Sequence, residues 1–302
     1  MRGSSPRPGA SGLCVRRILA LLLSAPGKGR TVTTSLGIIA GQGALVENLV
    51  SACQEQERSY FIIALEGQCD KAFVEKHPHA WVGLAQVGKA LTYLKDAGAK
   101  DLVMVGAVKR PSFSSLKPDF VGAKWLAQMV GKVQGDDGLL RYITEKLEAE
   151  GFRIVGVESL LGETLLGGKG TLTHTAPKEH HMHDIARGRG VLEALAPQDV
   201  GQAIVIQDGL VLGIEAIEGT QALIERTAHL ARPALSRPVL IKMPKATQDM
   251  RLDRPTLGPL TIDALVAAGF AGVAYQGREV IVLSRQEVIH KANAGGLFVH
   301  GF

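Results

Sequence analysis

Aromatic side chains are scarce in this chain: 2 Trp, 4 Tyr and 8 Phe make up 5% of its 302 residues. Surfaces that stack nucleobases or sugar rings draw on aromatics, so no such platform is expected. Cysteine is rarer still. Cys14, Cys53 and Cys69 are an odd number with no C-x-x-C spacing, which excludes a disulfide framework and a thiolate zinc site and matches a reducing compartment. No apolar run reaches the roughly 20 residues of a membrane-spanning helix. A basic surplus is also missing from most of the chain. The formal net charge of +5 comes from 34 basic and 29 acidic groups, but residues 1–34 hold Arg2, Arg7, Arg16, Arg17, Lys28 and Arg30 and no acid. Without those six, 28 basic groups face the 29 acidic ones, a net of −1. A nucleic-acid footprint needs basic charge across a folded face, so no nucleic-acid partner is expected.

What is present describes a globular protein. Apolar residues are 46% and charged residues 21% of the total, close to ordinary usage. About 270 residues beyond the N-terminal segment suffice for two domains or one large one. The segment 1–34 itself admits three readings: an upstream or disordered extension, a membrane-surface segment, or a secretory signal. Arg16 and Arg17 before the apolar run Ile18 to Leu23 suggest the last, but the run is short and no clean small-residue cleavage site follows.

From residue 35 the pattern alternates. Leu36–Ala40 is a short apolar run, Ala44 to Glu57 carries Leu45, Leu49, Ala52 and Cys53 at helical spacing, and Tyr60–Leu65 reads as a second strand. Val87–Ala97 reads as a helix, Asp101–Val105 as a strand, Leu139, Ile143 and Leu147 mark a helix ending at Gly151, and Phe152–Val157 is strand-like. Such β-α-β alternation implies a parallel sheet with crossover helices. Between Leu160 and Thr175 four glycines interrupt it, which places a domain boundary there. Beyond it, Ala203–Ile206 and Leu210–Ala216 flank Asp208-Gly209, a hairpin signature. Gly219–Leu230 and Ile262–Ala268 read as helices, Val239–Met243 as a strand and Val280–Leu283 as a last strand.

Several clusters have both a chemical and a structural reading. Gly41-Gln42-Gly43 follows a strand and opens a helix, as phosphate-cradling loops do, but the third glycine of G-x-G-x-x-G is replaced by Val46; a tight turn explains it equally. His174, His180, His181, His183 and Asp184 either approach a metal-ligand spacing or begin a solvated helix, the latter preferred. Asp136 and Asp137 could hold Mg2+ through oxygen or cap a helix. Lys242, Lys245, Gln248, Asp249, Arg251, Asp253 and Arg254 crowd one segment after a strand end. Cations clamp phosphates and a carboxylate positions a metal or an attacking water, whereas a charged surface loop would show the same composition. Glu215 and Glu218 precede Gly219-Thr220, where Thr220 could cap a helix or the acids add oxygen ligands.

Taken in order, Gly-Ile-Ile-Ala-Gly-Gln-Gly (37–43), Val-Gly-Lys (87–89), Gly-x-Val-Lys-Arg-Pro (106–111), Gly-Asp-Asp-x-Leu-Leu (135–140), Asp199-Val-Gly201-Gln202, Glu-Ala-Ile-Glu-Gly-Thr (215–220) and Lys-x-x-Gln-Asp-x-Arg-x-Asp-x-Pro (245–255) resemble the LpxI-type UDP-2,3-diacylglucosamine pyrophosphatases of lipid A biosynthesis. The resemblance runs from about residue 35 to 302. It implies an α/β protein of two domains, an N-terminal Rossmann-like parallel sheet over 35–165 and a C-terminal mixed α/β catalytic domain over 171–302, with substrate between them. It implies Mg2+-dependent attack at the α-phosphorus of UDP-2,3-diacylglucosamine, giving UMP and 2,3-diacylglucosamine 1-phosphate (lipid X).

The family's critical aspartate falls on Asp253, as metal ligand or orienter of water. Gly41, Gln42, Gly43, Lys89, Gln202, Gly219, Thr220, Lys242, Lys245, Gln248 and Arg251 are then substrate contacts, and Asp249 and Glu218 further metal ligands. A cytoplasmic enzyme in peripheral contact with the inner membrane is implied, with a homodimer possible. Ala246 and Gln221 depart from the family's usual Pro and Asp. A non-catalytic nucleotide-binding regulator and a nicotinamide-dependent oxidoreductase are the rival readings.

Overall fold

The computed structural model describes residues 35–109, 116–130, 135–245 and 248–302. The N-terminal segment 1–34, Arg110 and Pro111 of the third motif, and Ala246 lie outside the described residues.

The first half alternates as β1 (Ser35–Ala40), α1 (Ala44–Glu55), β2 (Tyr60–Leu65), α2 (Lys71–Val74), β3 (His79–Val82), α3 (Val87–Asp96), β4 (Ala99–Val105), α4 (Phe120–Met129), α5 (Gly135–Ala149) and β5 (Arg153–Ile154). Its five strands form a parallel sheet in the order β3-β2-β1-β4-β5. Alternate residues of a strand face opposite sides, and β1 obeys this. Leu36, Ile38 and Ala40 join Val46, Leu49, Val50 and Cys53 of α1, whereas Ile39 packs on the other side with Leu91 and Leu94 of α3. Burial on both faces explains why β1 and β2 read as continuous apolar runs.

The second half continues with α6 (Glu158–Leu161), β6 (Gly170–Thr171), α7 (Glu179–Leu195), β7 (Ala203–Gln207), β8 (Leu210–Ile214), α8 (Gly219–Ala228), β9 (Val239–Lys242), β10 (Thr256–Leu257), α9 (Pro259–Ala267), β11 (Gly272–Tyr275), β12 (Ile281–Val282), α10 (Arg285–Ala294) and β13 (Phe298–Gly301). A mixed six-stranded sheet runs β6-β13-β11-β9-β7-β8, with β13, β11 and β9 parallel and β6, β7 and β8 entering antiparallel contacts. Leu240 and Val273 face a core with α8, α9 and α10. Ile204, Ile241 and Ala274 face a second core with Ile185 and Leu192 of α7. The Asp208-Gly209 turn has positive φ at both positions, 44° and 78°, as a primed hairpin turn requires.

Three expectations need correction. Phe152–Val157 contributes only the two-residue strand β5. Val280–Leu283 reduces to β12, which pairs with β10 outside the main sheet, and it is not the last strand. The chain goes on through α10 to β13, which lies between β6 and β11. β11 and β13 have four residues each, too few for a periodicity to show, and are strands because their neighbours complete the ladder. Helix α4 also escaped the sequence reading, since its apolar residues are not confined to one face.

Two members of the histidine cluster, His181 and Asp184, have structural roles. His181 accepts the Lys178 N–H at the start of α7, 3.1 Å away, and burial lowers its pKa to about 4. Buried Asp184 accepts the N–H groups of Asp208 and Gly209 at 2.9 and 2.6 Å, pinning the hairpin.

Gly41-Gln42-Gly43 lies at the carboxyl ends of β1 and β4, where doubly wound sheets open a crevice. Here Gln42 and Ala107 bridge that crevice by exchanging two N–H···O bonds of 2.8 Å, and Gly41 N–H donates to Val105 O at 2.9 Å. With the Gly41 and Gln42 N–H groups so engaged, a phosphate at this loop is left, among the described residues of the motif, with Gly43 and the α1 terminus. A Cβ on Gly41 would stand 2.5 Å from Ala107 O. Gly41→Ala is therefore expected to cost about 1–3 kcal/mol by overpacking. The check is the thermal unfolding midpoint; an unchanged value would show that the two loops separate freely.

Candidate active site

Three strand ends meet at one edge of the mixed sheet, and the pairing register dictates it. β7 runs antiparallel to both neighbours, with Ala203 opposite Lys242 and Ile204 opposite Ile214. Gln202 before β7, Glu215 after β8 and Lys242 ending β9 are therefore brought together. Lys242 is buried, 7% exposed, and its Nζ donates to Thr220 Oγ1 at 3.0 Å and Thr256 O at 2.9 Å. Thr220 Oγ1 donates to Glu215 Oε1, and Glu215 Oε2 accepts the Gln202 N–H at 2.9 Å. Burial lowers the Lys242 pKa against the pull of Glu215 and Asp253.

The chain of contacts continues through Asp253. Its Oδ2 accepts Gln248 Nε2 at 3.0 Å and, more weakly, Gln202 Nε2 at 3.4 Å. Asp253 is exposed to solvent, yet the protein packed around its carboxyl raises its pKa, with Lys245, Gln202, Lys242 and Gln248 opposing the rise. Gln248 Oε1 in turn accepts the Lys245 N–H at 3.2 Å.

Lys245 closes the network against the other half of the molecule. Its Nζ bonds Asp199 Oδ1 and lies 3.0 Å from Asp137 Oδ2, on the first turn of α5. The second contact is an ion pair without hydrogen-bond geometry. Burial acts to lower the Lys245 ammonium, but the adjoining Asp199 and Asp137 carboxylates outweigh it and raise the pKa. Burial also raises the Asp137 carboxyl, opposed by Lys245 and reinforced by Asp199 and Asp253. Two lysines thus stand among four carboxylates, Asp137, Asp199, Glu215 and Asp253. If all are ionised, the set carries a charge of −2, which a divalent cation would balance.

The remaining sequence candidates lie differently. Arg251 is held by Asp249 Oδ2 at 2.7 Å and by Glu148 Oε1 of α5 at 2.9 Å. Its hydrogen bonds hold the Asp249 carboxyl below its ordinary value. Glu218 pairs with Arg226 at 2.9 Å, and Gly219, with φ 80°, opens α8. Lys89 stands exposed at the start of α3, its Nζ donating to Gln86 Oε1 at 3.3 Å. Asp253, Asp249 and Glu218 do not converge. Among the described residues no group of three or more His, Cys, Asp or Glu side chains is placed to hold a metal. Asp253 Oδ1, which accepts no hydrogen bond from the described residues, is the oxygen free to ligate. That fits Mg2+, which commonly takes one or two carboxylates and completes its shell with water and substrate phosphates. Asp199 was legible only as a member of a motif, and Asp137 and Glu215 as possible oxygen ligands beside helix starts; nothing local to the three shows that they surround two lysines.

The order of the motifs is matched by whole-domain similarity. Residues 35–164 match the LpxI N-terminal domain and residues 168–300 the LpxI C-terminal domain. The chain belongs to the LpxI family. A curated relative, the UDP-2,3-diacylglucosamine pyrophosphatase LpxI of Caulobacter vibrioides, is 38% identical over 272 residues, covering 88% of this chain and 96% of its own. A solved N5-carboxyaminoimidazole synthetase from Staphylococcus aureus is 16% identical with a TM-score of 0.19, covering 64% of this chain and 43% of that one; it carries no argument. Family membership sets aside the oxidoreductase and regulator readings, since the named relative is a hydrolase. No helix among the described residues is long and apolar enough to cross a membrane.

Proposed function

We propose that this chain hydrolyses the diphosphate of UDP-2,3-diacylglucosamine in lipid A biosynthesis, by Mg2+-dependent attack of water at the α-phosphorus. The observation that carries the reading is the partly open Asp253 carboxylate set between Lys242 and Lys245 at converging strand ends. It joins the family membership and the pyrophosphatase named as a relative.

In this reading the attacking water loses its proton to Asp253 Oδ1 as its oxygen bonds to the α-phosphorus. The bridging P–O bond breaks and its electron pair leaves on the β-phosphate oxygen. UMP and 2,3-diacylglucosamine 1-phosphate result. A carboxyl whose pKa is raised toward working pH is a better proton acceptor than an ordinary aspartate. Gln202 and Gln248 fix its orientation through Oδ2. Lys242 and Lys245 face the diphosphate charge, and Thr220 fixes the Lys242 ammonium. Substrate phosphate oxygens and water within the net-negative carboxylate set would hold Mg2+, which when bound neutralises charge developing on the phosphates. Asp249 and Glu218 stay with their arginines and shape the surroundings. The substrate's diacyl tail places the reaction at the cytoplasmic surface of the inner membrane.

The test is incubation of purified protein with UDP-2,3-diacylglucosamine in detergent micelles and Mg2+ in H2(18)O. UMP and the sugar 1-phosphate are expected in equal amounts, with the label in UMP and release abolished by EDTA. Label in the lipid product would place attack on the β-phosphorus, and no UMP above background would sink the reading.

A further inference from the structure

Helix α4 (Phe120–Met129) carries apolar residues on two faces, and the structure covers only one of them. Val121 and Trp125 pack on the core beside the parallel sheet. Gly122 is pressed against Ala85, where a Cβ would stand 1.9 Å from the carbonyl oxygen. Tyr142 of α5 donates its hydroxyl to Trp125 O at 3.0 Å, and Lys146 Nζ donates to Gln128 Oε1 at 2.8 Å. The opposite stripe is Phe120, Ala123, Ala127 and Val130, at the i, i+3, i+7 and i+10 spacing of one helical face, and all four are exposed. Phe120 is 87% and Val130 78% exposed. Large apolar side chains left out singly are ordinary; a continuous stripe is not.

Two described lysines accompany this stripe in sequence. Lys117 precedes the helix and Lys124 lies beside the stripe, both exposed and neither in an ion pair with any described residue. The neighbouring acid, Asp119, is turned inward, its oxygens accepting Gly122 N–H at 2.8 Å and Lys89 N–H at 3.0 Å. An apolar stripe with a lysine collar suits an interfacial helix on an anionic bilayer. Location agrees. Val130 is five residues before Gly135, at most about 18 Å along the chain, and a Cβ on Gly135 would touch the Asp199 carboxylate of the site.

Resting on the acylated substrate proposed above, we infer that the exposed face of α4 is the surface by which the enzyme docks on anionic phospholipid, with Phe120 and Val130 entering the acyl boundary. Lys117 and Lys124 meet the headgroups. The substrate headgroup would then leave the bilayer beside the α5 terminus that faces Lys245. No residue of this face belongs to the diphosphate site.

The experiment is co-sedimentation of the full chain with phosphatidylcholine vesicles containing 30% phosphatidylglycerol, compared with phosphatidylcholine alone. Tight partition to the anionic vesicles only is expected. Phe120→Glu/Val130→Glu should lower it at least tenfold, and Lys117→Glu/Lys124→Glu likewise, at roughly fivefold per lysine. UMP release from micellar substrate should stay within about twofold for both double variants. Unchanged vesicle partition in both would place binding elsewhere, residues 1–34 included, and overturn the inference. Parallel loss of micellar activity with an unshifted thermal midpoint would make the stripe a groove for the substrate's acyl chains and overturn it too. So would conversion of a dimer to monomers in analytical ultracentrifugation with partition unaltered. Absence of UMP from the native chain would sink the proposed reaction while leaving the vesicle result to stand.

Discussion

Asp253→Asn is expected to lower UMP release by two to four orders of magnitude, the contribution of a positioned general base, without loss of stability. The substitution keeps the shape of the side chain and an oxygen for the Gln248 and Gln202 amides that now meet Oδ2. It removes the proton acceptor and its negative charge. Stability should move the other way. Burial raises the Asp253 carboxyl above its ordinary value, so the folded state holds its proton to higher pH than the unfolded state does. Between the two pKa values stability falls as pH rises, and above both of them the ionised form carries that cost in full. Asn cannot ionise and escapes it. The variant should therefore melt at or above the native midpoint at pH 7.5, with the gap closing toward pH 4. In the native enzyme the same shift moves the acid limb of the kcat profile above that of an ordinary aspartate. Near-native turnover in the variant would remove Asp253 from the chemistry. A lower midpoint with lost turnover would mean that the residue is chiefly structural.

Lys245→Met is expected to destabilise the protein by about 3–5 kcal/mol, the cost of breaking a buried charge pair by removing one partner. Lys245 is the group between Asp137 and Asp199, and only 9% of its side chain and of Asp137's is exposed. Without the ammonium, two carboxylates are left facing one another in a partly desolvated site. At roughly 2–4 °C per kcal/mol for a domain approaching this size, the midpoint should fall by about 10 °C. The lesion is pH-dependent with a defined sign. Loss of Lys245 raises the Asp137 carboxyl further, so the penalty grows as pH rises through that carboxyl's titration and is smaller at pH 4.5 than at pH 7.5. Lys245→Met combined with Asp137→Asn should recover much of the lost stability, because the second change removes the unpaired charge. Failure of the double variant to recover would show that Lys245 acts by packing, not by charge.

The readable part of the fold was its buried, regular part. β2 spans Tyr60–Leu65 as the apolar run suggests, because a strand covered on both faces needs an uninterrupted apolar segment. The Asp208-Gly209 hairpin was legible because two successive positive φ values restrict the residues that fit. Strands β11 and β13 were not legible, since four-residue segments become strands through their neighbours. Helix α4 was missed because apolar residues surround it and leave only the narrow polar strip of Lys124 and Gln128, whereas an amphipathic helix is recognised by a broad polar face.

By itself the sequence determined the α/β class, the order of most elements, the family, and the segment from Lys242 to Asp253 that carries the densest charge. Those follow from local periodicity and from motifs read in order. Only the tertiary structure decided which of these charges work together. Gln202 meets Asp253 across 51 positions and Asp137 meets Asp199 across 62, whereas Asp249 and Arg251, two residues apart, bond each other. Whether a charge is free for a ligand depends on distant partners and on how much solvent the packing removes, and neither quantity is a property of a local stretch of chain.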